Sequence, residues 1–357
     1  MDNAPKQLHR LGQSLWLDNI TRAMLRSGTL TEYRDNYAVS GLTSNPTIFD
    51  RAIESSDDYD AAIRAAGRVE PEAVFFDLAI ADLRKAAEVF APVHARSGGV
   101  DGYVSLEVSP LLADDTPATI EQACTLHQRA DLPNLFIKVP GTVAGVPAIE
   151  ELIYRGVPIN VTLLFSPQQY RAAADAYLRG LERRQAEGLS LDVASVASLF
   201  VSRWDAKVAD EVPKALRNRL GLAVSGCVYA DYRKLLNSPR MQRLMNAGAR
   251  PQRLLWASTG TKDPDASDVL YVDNLAAPLT VNTMPDKTLK AFADHGRCDT
   301  PLAADGGDAE RQLVRFAELG FRVDPLAETL QQEGKESFAS SWRDLLSTIR
   351  ERMAQAA

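Results

Sequence analysis

Leu135-Phe136-Ile137-Lys138-Val139-Pro140-Gly141 is an apolar run that carries one lysine and stops at a Pro-Gly pair. A short apolar run bounded by turn formers reads as a strand covered on both faces, the kind found in parallel sheets. Lysine is rarely buried, because taking an ammonium out of water is expensive. Burial favours the neutral amine, which is a nucleophile toward carbonyls. A long side chain can also run past apolar neighbours and reach solvent. Lys138 is therefore either an imine-forming lysine or a strand-end charge, and the stretch alone leaves both open.

The same unit recurs on either side: an apolar run, a polar residue at its end, then a helical pattern. The other runs cover 15–18, 38–46, 102–108, 158–165, 193–198, 253–258 and 278–284. Helical patterns follow over 20–27, 47–66, 71–95, 116–130, 143–154 and 167–185, and in two segments up to Met245. A helix start is read at 285–289, and the chain is helical again over 309–318 and 325–352. Parallel strands need crossover connections, so strands separated by helices imply a parallel sheet. Eight such units predict an α/β fold, a (β/α)8 TIM barrel with extra helices, including a C-terminal helical segment. A doubly wound open sheet is the alternative. Polar strand ends favour the barrel, whose chemistry sits at the C-terminal ends of its strands. No linker-like segment divides the chain, so residues 1–357 are expected to form a single domain. The stretch 338–352, with Trp342 and Leu345 on an amphipathic pattern, reads as ordinary helix-on-core packing, with closure over the barrel mouth as the alternative.

The 357 residues are 45% hydrophobic and 24% charged, the balance of a soluble globular protein. A net charge of -7 argues against a nucleic-acid partner, which favours a basic face. It leaves room for a small anion, since a local pair of basic residues holds a phosphate. Residues 1–6 lack a signal-peptide pattern and no apolar run approaches a membrane span, so a cytoplasmic location without membrane contact is expected. Cys124, Cys227 and Cys298 are far apart with no CxxC, so neither a disulfide framework nor a metal site is expected.

Residues two apart on a strand share a face, so Ser105 points with Glu107, and Asn160 with Thr162. In a barrel Lys138 points inward between those two strands, and Asp18, Asn45 and Ser198 come from further round the rim. Each has a plainer reading. Asp18 is a candidate helix cap and Asn45-Pro46 a turn before a helix. Asn160 and Thr162 can satisfy backbone groups. Arg203 and Lys262 read singly as surface charges. Glu107 within an apolar strand is harder to dismiss, because a buried carboxylate needs a partner.

Taken together, the motifs resemble those of the transaldolases, in particular the longer bacterial-type members. The resemblance runs through nearly the whole chain. It is carried by Gly41-Leu42-Thr43-Ser44-Asn45-Pro46-Thr47, Val104-Ser105-Leu106-Glu107-Val108, Phe136-Ile137-Lys138-Val139-Pro140 and Ile159-Asn160-Val161-Thr162-Leu163-Leu164-Phe165-Ser166. It continues in Ala197-Ser198-Leu199-Phe200-Val201-Ser202-Arg203, Trp256-Ala257-Ser258-Thr259-Gly260-Thr261-Lys262 and Val281-Asn282-Thr283-Met284-Pro285.

The resemblance implies a (β/α)8 barrel and class I aldolase-type chemistry in the non-oxidative pentose phosphate pathway, with sugar-phosphate substrates and no cofactor. Lys138 matches the Schiff-base lysine. Glu107 and Thr162 match the pair that holds a catalytic water, and Asp18 the carboxylate that moves a proton at the substrate hydroxyl. Asn45, Asn160 and Ser198 match residues that hydrogen-bond the dihydroxyacetone unit. Phe200 matches an aromatic replaced by tyrosine in related aldolases. Arg203 and Ser258 match the phosphate pocket. Other members place a second arginine just after the position of Ser258; here Lys262 is assigned that role, and the two cations differ in geometry. The expected reaction moves dihydroxyacetone from sedoheptulose 7-phosphate to glyceraldehyde 3-phosphate, by a monomer or homodimer. A fructose 6-phosphate aldolase and a non-catalytic sugar-phosphate-binding barrel are the alternatives.

Overall fold

The computed structural model describes residues 3–67 and 69–354. Met1 and Asp2, which open the N-terminal stretch read for a signal peptide, and residues 68 and 355–357 of the expected single domain lie outside the described residues.

Each predicted run becomes a strand: β1 Ser14–Asp18, β2 Val39–Thr43, β3 Val104–Glu107, β4 Leu135–Pro140, β5 Ile159–Leu164, β6 Ser195–Phe200, β7 Arg253–Ala257 and β8 Val281–Met284. They form one sheet in the order β2-β1-β8-β7-β6-β5-β4-β3, with neighbours parallel. The two outer members meet. The Leu42 amide donates to the Tyr103 carbonyl at 3.0 Å, and the Ser44 hydroxyl to the Ser105 carbonyl at 2.8 Å. These bonds draw the open edge of β2 against β3, so the sheet is a nearly closed barrel rather than a doubly wound sheet.

Helix starts are set by a polar cap followed by proline. Asn45 accepts from the Ile48 amide at 3.0 Å ahead of Pro46–Glu54, and Ser166 from the Gln169 amide at 3.1 Å ahead of Pro167–Ala186. Ser238 caps Pro239–Asn246 in the same way. The side-chain oxygen satisfies an amide that lacks a partner in the first turn, and proline has none to satisfy.

Some boundaries differ from the sequence reading. The helix expected over 47–66 breaks at Ser55, because the Ser56 hydroxyl caps a new turn at Asp57–Tyr59. The helix expected over 20–27 is joined, after a left-handed Gly28, by a second one at Thr29–Tyr37. β6 runs to Phe200, so Ser198 lies two residues inside its strand rather than at the end.

The barrel interior is stratified. At the foot, Asp101 accepts from the Trp16 indole at 2.8 Å and from the Ser14 hydroxyl, which also accepts from Arg253 at 2.7 Å. Above it Trp16, Phe136 and Tyr103 form an aromatic plug, with the Tyr103 and Phe136 rings stacked at 4.1 Å. Phe136 and Lys138 share a face of β4, so the lysine rises from this plug toward the C-terminal rim.

The long C-terminal helix, Val323–Ala354, crosses that rim. Gln331 donates to the carbonyls of Leu163 at 2.9 Å and Gly141 at 3.1 Å, at the ends of β5 and β4. Further along, Trp342 packs edge-on against Phe75 with ring centres 5.0 Å apart. The amphipathic pattern therefore does both jobs weighed from sequence, packing on the core and covering the mouth.

Candidate active site

At the C-terminal rim lies a pocket of about 130 Å³. Ten of the eleven expected side chains line it: Asp18, Asn45, Lys138, Asn160, Thr162, Ser198, Phe200, Arg203, Ser258 and Lys262. The eleventh, Glu107, stands behind Lys138, beside it on the neighbouring strand. A larger cavity of about 500 Å³ opens at the opposite end of the barrel. Its Arg34 is already paired with Asp35, and it holds no lysine. Size does not locate the chemistry here.

Lys138 is 5% exposed. Its ammonium donates to the Glu107 carboxylate at 2.9 Å and to the Ser44 carbonyl at 2.8 Å. It does not snorkel to solvent, which removes the strand-end reading. Register explains the pairing, since Lys138 sits opposite Glu107 on one side and Asn160 on the other. Burial pushes the Glu107 carboxyl above its ordinary value, and the adjoining ammonium holds it partly down. A carboxyl so placed is a better proton acceptor than a solvated one.

Thr162 Oγ1 is buried without a hydrogen-bond partner among the described residues. Buried hydroxyls are nearly always satisfied, so one facing a polar pocket marks a place for a water or a ligand atom. Asn160 and Ser198 form a pair, the serine hydroxyl donating to Asn160 Oδ1 at 2.6 Å. Asn45 Oδ1 caps its helix, so the plain reading of that residue is real, while the same side chain lines the pocket.

Asp18 does not cap the following helix; Thr21 does, accepting from the Met24 amide. Asp18 instead accepts from the Thr43 hydroxyl at 2.8 Å, and Thr43 lies 2.7 Å from Thr283. Burial raises the Asp18 carboxyl, opposed by the charge of Lys138, the Thr43 hydrogen bond and the charge of Lys262.

Arg203 is half-buried, not a free surface charge. Its guanidinium carbon lies 5.0 Å from the centre of the Phe200 ring and 5.7 Å from that of Phe338. Burial lowers its pKa, against the fields of Glu333 and Glu107. Ser258 adopts a left-handed backbone (φ 56°) and its hydroxyl lies 2.9 Å from that of Ser202. Lys262 remains exposed but reaches the same pocket. Arg203, Ser258 and Lys262 thus line the same pocket as Lys138, with the Arg203 charge felt at Glu107 and that of Lys262 at Asp18.

The sequence reading missed four contributors. Thr43 and Thr283 were visible as inward-facing strand residues. The Ser44 carbonyl carries no side-chain signal, and Phe338 comes from a helix far along the chain.

A family model described as Transaldolase/Fructose-6-phosphate aldolase matches residues 15–349. A transaldolase from Parafrankia sp. (strain EAN1pec) is 44% identical, with 100% of both chains covered. Transaldolases from Thermobifida fusca and Mycobacterium tuberculosis are 45% and 43% identical, covering 99% and 98% of this chain and 99% and 97% of their own.

Proposed function

The chain belongs to the transaldolase family, and from that premise we propose that Lys138 transfers a dihydroxyacetone unit through a Schiff base. The reaction takes sedoheptulose 7-phosphate and glyceraldehyde 3-phosphate to erythrose 4-phosphate and fructose 6-phosphate, in the non-oxidative pentose phosphate pathway. The observation that carries the assignment is the buried Lys138–Glu107 pair beside the unpartnered hydroxyl of Thr162.

Lys138 passes a proton to Glu107, and the neutral amine attacks the ketose carbonyl. Loss of water from the carbinolamine needs that proton back at oxygen. Glu107, relaying through a water on Thr162, supplies it, a step on the scale of about 10²–10⁴-fold. The protonated imine then draws electrons from the adjacent carbon–carbon bond. Asp18 takes the proton of the neighbouring hydroxyl, the bond breaks and the aldose phosphate leaves. The three-carbon enamine stays attached, held by Asn45, Asn160 and Ser198, until the acceptor aldehyde arrives and the sequence runs backward. Arg203, Ser258 and Lys262 hold the phosphate, whose charge they complement.

The protein works as one barrel domain over residues 1–357, a monomer or homodimer in the cytoplasm. Phe200 in the pocket, where related aldolases carry tyrosine, favours transfer over release of free dihydroxyacetone.

Borohydride added with fructose 6-phosphate should fix a three-carbon adduct on Lys138, read by peptide mass spectrometry. Lys138→Ala should lose both adduct and transfer. An active enzyme with no adduct at Lys138 refutes the nucleophile. Free dihydroxyacetone released as fast as transfer to erythrose 4-phosphate would favour the aldolase.

A further inference from the structure

We propose that the C-terminal helix sets the phosphate specificity of this site, with Gly334 and Phe338 positioning the Arg203 guanidinium. The inference rests on the reading of Arg203 as a phosphate-binding cation. Arg203 reaches the pocket from the start of the helix Ser202–Val208, yet no carboxylate pairs with it at hydrogen-bond distance among the described residues. Left alone, a long flexible side chain would sample many rotamers and lose entropy on capturing an anion.

Four residues of the C-terminal helix frame it. Phe338 and Phe200 flank the guanidinium, within the range at which an aromatic face attracts a cation. Gly334 lies one turn earlier, and a Cβ there would come 3.1 Å from Arg203 Nη1 and 2.9 Å from Leu163 Cδ2. The missing side chain is the space that the guanidinium uses. Glu333, the nearest acid on the helix, is drawn to Lys207 at 2.5 Å rather than to Arg203. The N–H groups of Arg203 are thereby left for a ligand. Gln331, hydrogen-bonded to the ends of β4 and β5, fixes the helix to the barrel next to these positions.

The test is steady-state kinetics on the full chain, with erythrose 4-phosphate as acceptor and fructose 6-phosphate or fructose as donor. For Gly334→Ala and Phe338→Leu, KM for fructose 6-phosphate should rise about tenfold, the scale of a weakened charge-assisted hydrogen bond. Their kcat should stay within about twofold, as should kcat/KM for fructose. Phe338→Tyr, which keeps the ring, should restore the preference for the phosphorylated donor. In an Arg203→Ala background neither substitution should have a further effect on KM. Phe338→Leu inserts no atom, so it reads the same position even if Gly334→Ala does not fold. Equal losses on both donors overturn the proposal. If Arg203→Ala removes the preference and the helix variants keep it, the helix role fails and the phosphate reading stands. If Arg203→Ala itself keeps the preference, the phosphate reading fails, and this inference with it.

Discussion

Thr43 has one hydroxyl proton, and it goes to Asp18, so the partner hydroxyl of Thr283 must donate to Thr43 in turn. This short relay favours the ionised carboxylate, working with the charges of Lys138 and Lys262 against burial. Replacing Thr43 with valine removes the donor and lets the Asp18 pKa rise. With Asp18 as the base of carbon–carbon cleavage, the acidic limb of the kcat profile should then move to higher pH. An unmoved limb in Thr43→Val, measured from pH 4 to 9, counts against Asp18 as that base. The residue scale is also where sequence reading was most exposed to error. Asp18 looked like a cap, Asn45 like a turn and Arg203 like a surface charge. Asn45 is in fact both a cap and a pocket residue, since its Oδ1 serves the helix while the same side chain lines the pocket.

One scale up, the helix Ser202–Val208 that carries Arg203 is anchored by its own Asp205. That carboxylate accepts from the amides of Leu220 at 2.9 Å and Gly221 at 3.1 Å, and from the Tyr271 hydroxyl at 2.9 Å. It thereby ties this helix to the start of Leu220–Leu236. Burial nevertheless pushes Asp205 up to about 6, against those hydrogen bonds. A raised acid binds its proton more tightly folded than unfolded, so its stabilising contribution is full at low pH and is lost as pH rises through about 6. The contribution is about 3 kcal/mol across that window. Asp205→Asn should flatten the fall in unfolding free energy between pH 4 and 7 relative to the parent, as measured by urea titration. Gly334 belongs to this scale too. Alanine there would gain about 1 kcal/mol of helix propensity, so its glycine reflects what the helix must pass rather than what the helix prefers.

At the scale of the whole molecule, the barrel depends on the seam between β2 and β3, which follow one another in the chain but stand at the two open edges of the sheet. Gly41 lies on that seam. A Cβ at this position would come 2.5 Å from the Tyr103 carbonyl oxygen and 2.8 Å from the Trp16 indole nitrogen. Gly41→Ala must therefore push β2 off β3 or displace the aromatic plug. It should cost about 1–3 kcal/mol of stability, the usual range for overpacking a core, and lower Tm. A melting curve unchanged from the parent would show that the seam is soft. Disturbance there reaches the chemistry, because the Ser44 carbonyl that holds Lys138 lies three residues beyond Gly41.

Local chemistry wrote much of this protein into its sequence. Apolar runs with polar ends locate all eight strands, because such a pattern depends on neighbours a few residues away, whereas the polar-then-proline caps at Asn45, Ser166 and Ser238 are seen only in the structure. Strand alternation puts Lys138, Glu107, Asn160 and Thr162 on inward faces. Tertiary structure decided the rest. That Lys138 is buried and paired, that Thr162 lacks a partner, and that Phe338 and Gly334 frame Arg203 all depend on strands and a helix far apart in the chain. Burial and pairing belong to the closed barrel, where distance in sequence no longer measures distance in space.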